Sequence, residues 1–237
     1  MPIEKNIRHI KNLIAVYEKK YGREPNSVRL LAVSKHQSIE KITQAIDAGQ
    51  RAFGESYLQE ALIKIAALKS TSSPGNSNSQ DKQLEWHFIG PVQRNKTRKI
   101  AENFSWVHSV ANTNIVQKLN DYRPIHLPPL NICIQVNISQ EASKFGIPLS
   151  EIEPLMNDCL TLPLIKVRGL MAIPSATPSF DAQRTHFHPL SLKFYELRKK
   201  GYSIDSLSLG MSEDFEAAIA EGSTIIRIGS AIFGRRS

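Results

Sequence analysis

Eight short apolar runs recur along the chain, and each is separated from the next by enough residues for a helix. They are Leu30–Ser34, Arg51–Gly54, Glu85–Gly90, Trp106–Val110, Asn131–Ile138, Lys166–Ala172, Ser206–Gly210 and Thr224–Gly229. Most show little polar alternation, the pattern of parallel strands buried on both faces. The intervening segments read as helices. Ile39–Ala48 carries Ile39, Ile42 and Ile46 on one face, with Ser38 as N-cap and Gly49 past its end. Tyr57–Leu68 gathers Leu58, Leu62 and Ile65, and Lys96–Asn103 and Thr113–Asp121 follow. Ser150–Leu160 begins with Ser150 and Glu153 at capping-box spacing. Phe180–Lys199 and Glu213–Ala220 complete the alternation, and Ile3–Lys20 precedes the first strand. This order predicts an α/β fold: a single (β/α)₈ TIM-type barrel over residues 1–237 with an extra N-terminal helix. An open doubly wound sheet is the alternative. Thr71–Gln83 is polar and rich in Ser, Asn and Gly, and is expected to be a mobile surface loop. A second loop, Ile173–Phe180, holds two prolines. Neither is flanked by a shift in composition.

Composition excludes several classes. A hydrophobic share of 41% sustains a core. Cys133 and Cys159 form no CxxC pair, which argues against a zinc site or disulfide framework and for a reducing, cytoplasmic setting. The polar, helical start does not resemble a signal peptide, and no apolar stretch approaches a membrane span. The net charge of +8 favours acidic partners in general. The densest basic cluster, Gln93–Lys99, reads as the solvated face of a helix that turns Ile100 and Ala101 inward, and no nucleic-acid motif accompanies it. The expectation is therefore no nucleic acid and no membrane.

Chemistry on such a barrel sits at the C-terminal strand ends. Those positions hold Lys35, Glu55–Ser56, His87, Asn137, Met171, Met211–Ser212 and Gly229–Ser230. The set has one amine, several hydroxyls and no acidic pair, which disfavours two-carboxylate glycoside chemistry and Mg²⁺ binding. By itself Lys35 marks where a buried strand reaches water. The last strand is more demanding. Arg227 lies inside the apolar run TIIRIGSAIFG, where its charge calls for an anion or a carboxylate. Gly229 admits a ligand close to the backbone, and Ser230 offers a hydroxyl and an N–H at the start of a short helix. Ser212 adds a hydroxyl and opens the next helix. A strand-end lysine beside a phosphate cradle points to pyridoxal 5'-phosphate, whose aldehyde needs an amine and whose phosphate needs donors and a cation.

The stretches LLAVSK, AIDAGQRAFGES, LEWHFIGPVQRNK, SVANTNIVQKLN, IQVNISQEASKFGI, RGLMAIP and LSLGMSEDFEAAIAEGSTIIRIGSAIFG together resemble the pyridoxal phosphate homeostasis proteins. These YggS/PROSC-like PLP-binding proteins are similar to the N-terminal barrel of alanine racemase. The resemblance runs from about Leu30 to Gly234. It implies that Lys35 carries the cofactor as an internal aldimine, that Ser212, Arg227, Gly229 and Ser230 hold the phosphate, and that His87 and Met171 lie beside the ring. One departure is FGES where the family usually reads FGEN. Ser56 is shorter than Asn and lacks the amide, so a water is expected to bridge from it to the cofactor.

Two functions follow from such a site: a non-catalytic carrier of the cofactor, or a PLP-dependent amino-acid racemase or decarboxylase. A barrel uses about 250 residues, leaving no second domain to supply a tyrosine base and close the pocket. No acidic residue stands out as partner of the pyridine nitrogen, and Tyr57, the one tyrosine near a strand end, reads as packing. The expectation is a monomeric carrier in vitamin B6 homeostasis, with PLP-dependent apoenzymes as partners.

Overall fold

The computed structural model describes residues 2–70, 84–139 and 145–234. Eight parallel strands close into a barrel in chain order. They are β1 (Arg29–Val33), β2 (Ala52–Glu55), β3 (Glu85–Phe88), β4 (Trp106–Val110), β5 (Leu130–Gln135), β6 (Ile165–Met171), β7 (Ser206–Ser208) and β8 (Ile225–Ile228). The helices are α1 (Ile3–Lys20), α2 (Ile39–Asp47), α3 (Leu58–Ser70), α4 (Thr97–Asn103), α5 (Thr113–Tyr122), α6 (Ile152–Cys159), α7 (Phe180–Lys199), α8 (Phe215–Ala220) and α9 (Ser230–Phe233). Closure rests on β1 pairing with β8, Leu31 opposite Arg227, which rules out the open sheet. The Thr71–Gln83 loop lies outside the described residues.

The strands are apolar on both faces because both faces are buried. Leu31, Ala52, Trp106, Cys133, Met171 and Ile225 form a cluster inside the barrel, separate from the larger layer between strands and helices. A Cβ on Gly169 would sit 1.7 Å from the Ser206 carbonyl oxygen, so only glycine lets β6 and β7 run this close. Helix α1 buries Ile3, Ile7, Ile10 and Ile14 along one stripe, each burial contributing about 1.5–3 kcal/mol. Its last turn is tied to the segment leading into β1 by the Glu18 carboxylate, which accepts from the Val28 N–H at 2.8 Å and the Asn26 N–H at 3.1 Å. Ser38 caps α2 by accepting from the Lys41 N–H, and Gly49 beyond it takes φ +82. In the basic cluster, Ile100 and Ala101 are buried while Arg98 and Lys99 face solvent.

Two helix starts differ from the sequence reading. Ser150 caps nothing: Pro148 leads into a 3₁₀ turn over Leu149–Glu151, and α6 begins only at Ile152. Ser150 thus lies within the turn, and Glu153 instead accepts from Lys193 at 2.6 Å and Lys200 at 2.9 Å. Helix α8 begins at Phe215 after Asp214, so Ser212 stands ahead of the helix and does not open it. Both cysteines are free and buried.

Candidate functional site

Side chains alternate along a strand. On β1 this sends Leu31 into the inner cluster and carries Val33 and Lys35 up the same face into a cavity of about 420 Å³. On β8 the same alternation runs from Ile225 through Arg227 to Gly229. The cavity therefore brings together Lys35, Ser56, Ser212, Arg227, Gly229 and Ser230, residues far apart in the chain. His87 and Met171 do not line it. Met171 is buried in the inner cluster, and His87 is taken up by a polar chain described below. Among the described residues no group of three or more His, Cys, Asp or Glu is placed to hold a metal ion.

One end of the cavity presents hydroxyls and backbone. The Ser230 and Ser212 hydroxyls lie 3.2 Å apart. Ser230 opens α9, whose first turn has N–H groups without intrahelical acceptors. A Cβ on Gly229 would approach the Val33 carbonyl oxygen to 3.3 Å, a tight fit that glycine relieves. An anion suits this cradle.

Arg227 lies two residues earlier on β8 and is almost wholly buried. The sequence reading required an anion or carboxylate for it. Among the described residues it instead donates to neutral groups: Nη1 to the Ser208 carbonyl and hydroxyl, both at 2.7 Å, and Nη2 to the Ala172 carbonyl at 3.0 Å. Burial without a bonded counter-charge pulls its pKa down to about 10, with Asp214 opposing at longer range. A guanidinium has five N–H donors, so two remain after these three bonds.

From Arg227 a hydrogen-bonded chain crosses the barrel interior. Ser208 Oγ lies 2.9 Å from His108 Nδ1, and His108 Nε2 lies 2.8 Å from His87 Nδ1. His87 Nε2 is 2.8 Å from Glu85 Oε1 but off the ideal hydrogen-bond line, so that link is mainly electrostatic. Burial favours the neutral form of both histidines, pulling His108 well below its ordinary value. Burial also pushes Glu85 up, but the His87 contact and Arg29 outweigh it and hold Glu85 at about 2. An ionised Glu85 wants the His87 proton on Nε2. His87 Nδ1 then accepts from His108 Nε2–H, and His108 Nδ1 accepts the Ser208 proton. All donors point one way, from the guanidinium to the carboxylate. The rings are packed as well as bonded, His87 stacking on Trp106 at 5.3 Å and 8°.

Several site residues escaped the sequence reading. Asp214 and Glu213 line the cavity, so acidic groups do stand at its mouth. Asp214 Oδ1 accepts from the Met211 N–H at 2.6 Å, and burial raises its pKa against that bond and Arg227. The proline loop contributes Ile173, Pro174, Ala176 and Thr177. Tyr57 is not packed inside: it is half exposed, its ring 4.8 Å from that of His36. Glu55, at the end of β2, turns away from the cavity into a buried ion pair with Lys64.

The family model that describes the alanine racemase N-terminal domain matches residues 3–237. The pyridoxal phosphate homeostasis protein of Escherichia coli strain K12 is 46% identical over 234 residues, covering 99% of this chain and 97% of that one. That of Pseudomonas aeruginosa PAO1 is 47% identical over 234 residues. The chain belongs to the pyridoxal phosphate homeostasis protein family. Among solved structures, PLP-bound PipY of Synechococcus elongatus PCC7942 matches with a TM-score of 0.77 at 31% identity, over 93% of this chain and 100% of that one. Alanine racemase of Corynebacterium glutamicum, at 16% identity and a TM-score of 0.66, shares the barrel across 60% of its own chain.

Proposed function

We propose that this chain binds pyridoxal 5'-phosphate and serves vitamin B6 homeostasis, holding the cofactor without turning over amino acids. The observation that carries this is one cavity holding both a strand-end amine, Lys35, and a hydroxyl-and-backbone cradle, Ser212 with Gly229 and Ser230. These residues fit the group: an amine for an aldehyde and donors for a phosphate. When bound, the cofactor would supply an electrophilic aldehyde carbon within reach of an amine.

The protein residues divide the remaining work. Lys35 Nζ is the nucleophile. Ser212 and Ser230 donate hydroxyls to the phosphate, and Gly229 lets it approach the backbone. Arg227 supplies positive charge from the wall and keeps two donors for the ligand. Ser56 faces the cavity from just past the end of β2 and reaches the ligand through water. Met171, His87 and His108 pack or bond beneath, and their role is to fix the wall. On this reading the chain is a cytoplasmic monomer that holds the cofactor for apoenzymes. Among the described residues no helix is long and apolar enough to cross a membrane.

The test is spectroscopic and chemical. Purified protein is expected to be yellow, and Lys35→Ala to lose that band. Alanine and serine enantiomers are expected to interconvert no faster than with free cofactor. Lys35-dependent racemisation, transamination or decarboxylation well above that background restores the enzyme reading.

A further inference from the structure

Lys35 stands on a turn that is fastened on both sides. The turn runs Ser34–Gln37, closed by the Gln37 N–H donating to the Ser34 carbonyl at 3.0 Å. Its third residue, His36, takes φ 63, a region where non-glycine residues are uncommon. Such a conformation persists only where the surroundings over-determine it, and three side chains from β2 and α3 do so. Glu55 Oε1 accepts the Ser34 hydroxyl at 2.6 Å. Lys64 Nζ donates to the Ser34 carbonyl at 2.6 Å and to Glu55 at 2.8 Å. Glu60 Oε1 accepts from Lys64 and from the His36 backbone N–H, both at 2.5 Å. The bonds fall on the residues immediately before and after Lys35.

The pair at the centre is buried, with 5% of the Lys64 side chain and none of the Glu55 side chain exposed. A buried ion pair is weak evidence of stabilisation, because desolvation consumes most of the attraction. Here the desolvation is also incomplete in its return: Glu55 Oε2 is buried without a hydrogen-bond partner. Burial raises the Glu55 pKa despite Lys64 and Ser34. Two hydrophobic residues of like volume would fill this space at less cost, but they would bond neither Ser34 nor His36.

We propose that Glu55, Lys64 and Glu60 form an ionic clamp whose task is to fix the Ser34–Gln37 turn and so aim the Lys35 amine into the cavity. They are positioning residues, acting through the backbone on either side of Lys35. This rests on the reading that Lys35 captures the aldehyde, since a fixed amine matters only if it reacts.

Glu60 gives the cleanest test, because its side chain is 26% exposed and its removal leaves the buried Glu55 carboxylate paired with Lys64. Glu60→Ala frees the His36 N–H, whereas Glu60→Gln keeps an acceptor there. Amide hydrogen exchange in cofactor-free protein reads the turn directly. The peptide covering residues 34–37 should exchange roughly three- to tenfold faster in Glu60→Ala, the factor carried by one lost hydrogen bond, with wild-type rates in Glu60→Gln. Loading with pyridoxal 5'-phosphate and then trapping released cofactor with an aminooxy reagent should show a parallel acceleration in Glu60→Ala and rescue in Glu60→Gln. The double variant Glu55→Gln/Lys64→Met, which removes the buried pair and leaves only the part-exposed Glu60 without its cation, should reproduce both effects. Unchanged exchange in Glu60→Ala and in the double variant overturns the clamp. Faster exchange with wild-type release overturns its positioning role. Recovery of the cofactor, after borohydride reduction of the loaded protein, on a lysine other than Lys35, with exchange accelerated as expected, instead overturns the assignment of the amine while the clamp stands.

Discussion

Replacing Arg227 with methionine separates its role as a cation from its role as a filler of the barrel wall. The guanidinium spends three donors on Ser208 and Ala172 and keeps two. One charge-assisted bond to a ligand is worth ~1.5–3 kcal/mol, so the variant should lose roughly 10- to 150-fold in affinity for pyridoxal 5'-phosphate. At a fixed excess of cofactor the ligand's contribution to folding stability falls by the same amount. For a chain of 237 residues, where 1 kcal/mol moves Tm by about 2–4 °C, the cofactor-induced rise in Tm should shrink by roughly 3–12 °C. Calorimetry of wild type and variant, each with and without cofactor, isolates this increment from any change in the apoprotein. Pyridoxal lacking the phosphate serves as a control, and it should stabilise wild type far less than the phosphorylated form. An undiminished increment in Arg227→Met would falsify the placement of Arg227 against the ligand.

Other consequences concern the interior. Nitrogen NMR should find both His87 and His108 neutral at pH 7 and protonated on Nε2, and a proton on Nδ1 of either ring would break the one-way chain. Glu85 titrates at about 2 in the fold against an ordinary 4.5, so its contribution is present above about pH 4.5 and is lost as pH falls towards 2. Glu85→Gln should accordingly flatten the acid limb of the stability curve, and an unaltered limb would show that the carboxylate is not held by His87 and Arg29. Lys64→Met strands the Glu55 carboxylate, a loss of about 3–5 kcal/mol near neutral pH. Because burial already raises the Glu55 pKa, the folded variant binds its proton more tightly than the unfolded chain. Its stability should therefore fall as pH rises above the ordinary glutamate value of 4.5, and chemical denaturation showing the opposite slope would contradict this.

The fold was legible because barrel strands bury both faces, so β1 reads from Leu30 to Val33 as an unbroken apolar run and β8 as a nearly unbroken one. That Arg227 and Gly229 mark a special place was legible for a related reason: they interrupt such a run, interruptions of a buried strand need an explanation, and both line the cavity. What failed depends on direction in space. His87 and Met171 stand at strand ends like Lys35, yet one joins a chain to His108 and Ser208 and the other packs on Trp106 and Cys133. Nothing in the order of residues says which neighbour claims a buried imidazole. Ser150 had the spacing of a cap, but Pro148 set a tighter turn ahead of it. The pairing of Glu55 with Lys64 spans β2 and α3, and a lysine in an amphipathic helix reads as solvated until its neighbours are placed. Asp214 was passed over because it follows the strand end by several residues and is drawn back to the cavity by the Met211 N–H.

Reduction of the cofactor-loaded protein with borohydride, followed by peptide mapping, bears most directly on the whole reading. The reduced pyridoxyl group should be recovered on Lys35 alone, at close to one equivalent, and Lys35→Ala should show none while retaining weaker, phosphate-dependent binding. Recovery of the group chiefly on another lysine would contradict the assignment of Lys35 as the amine of the site.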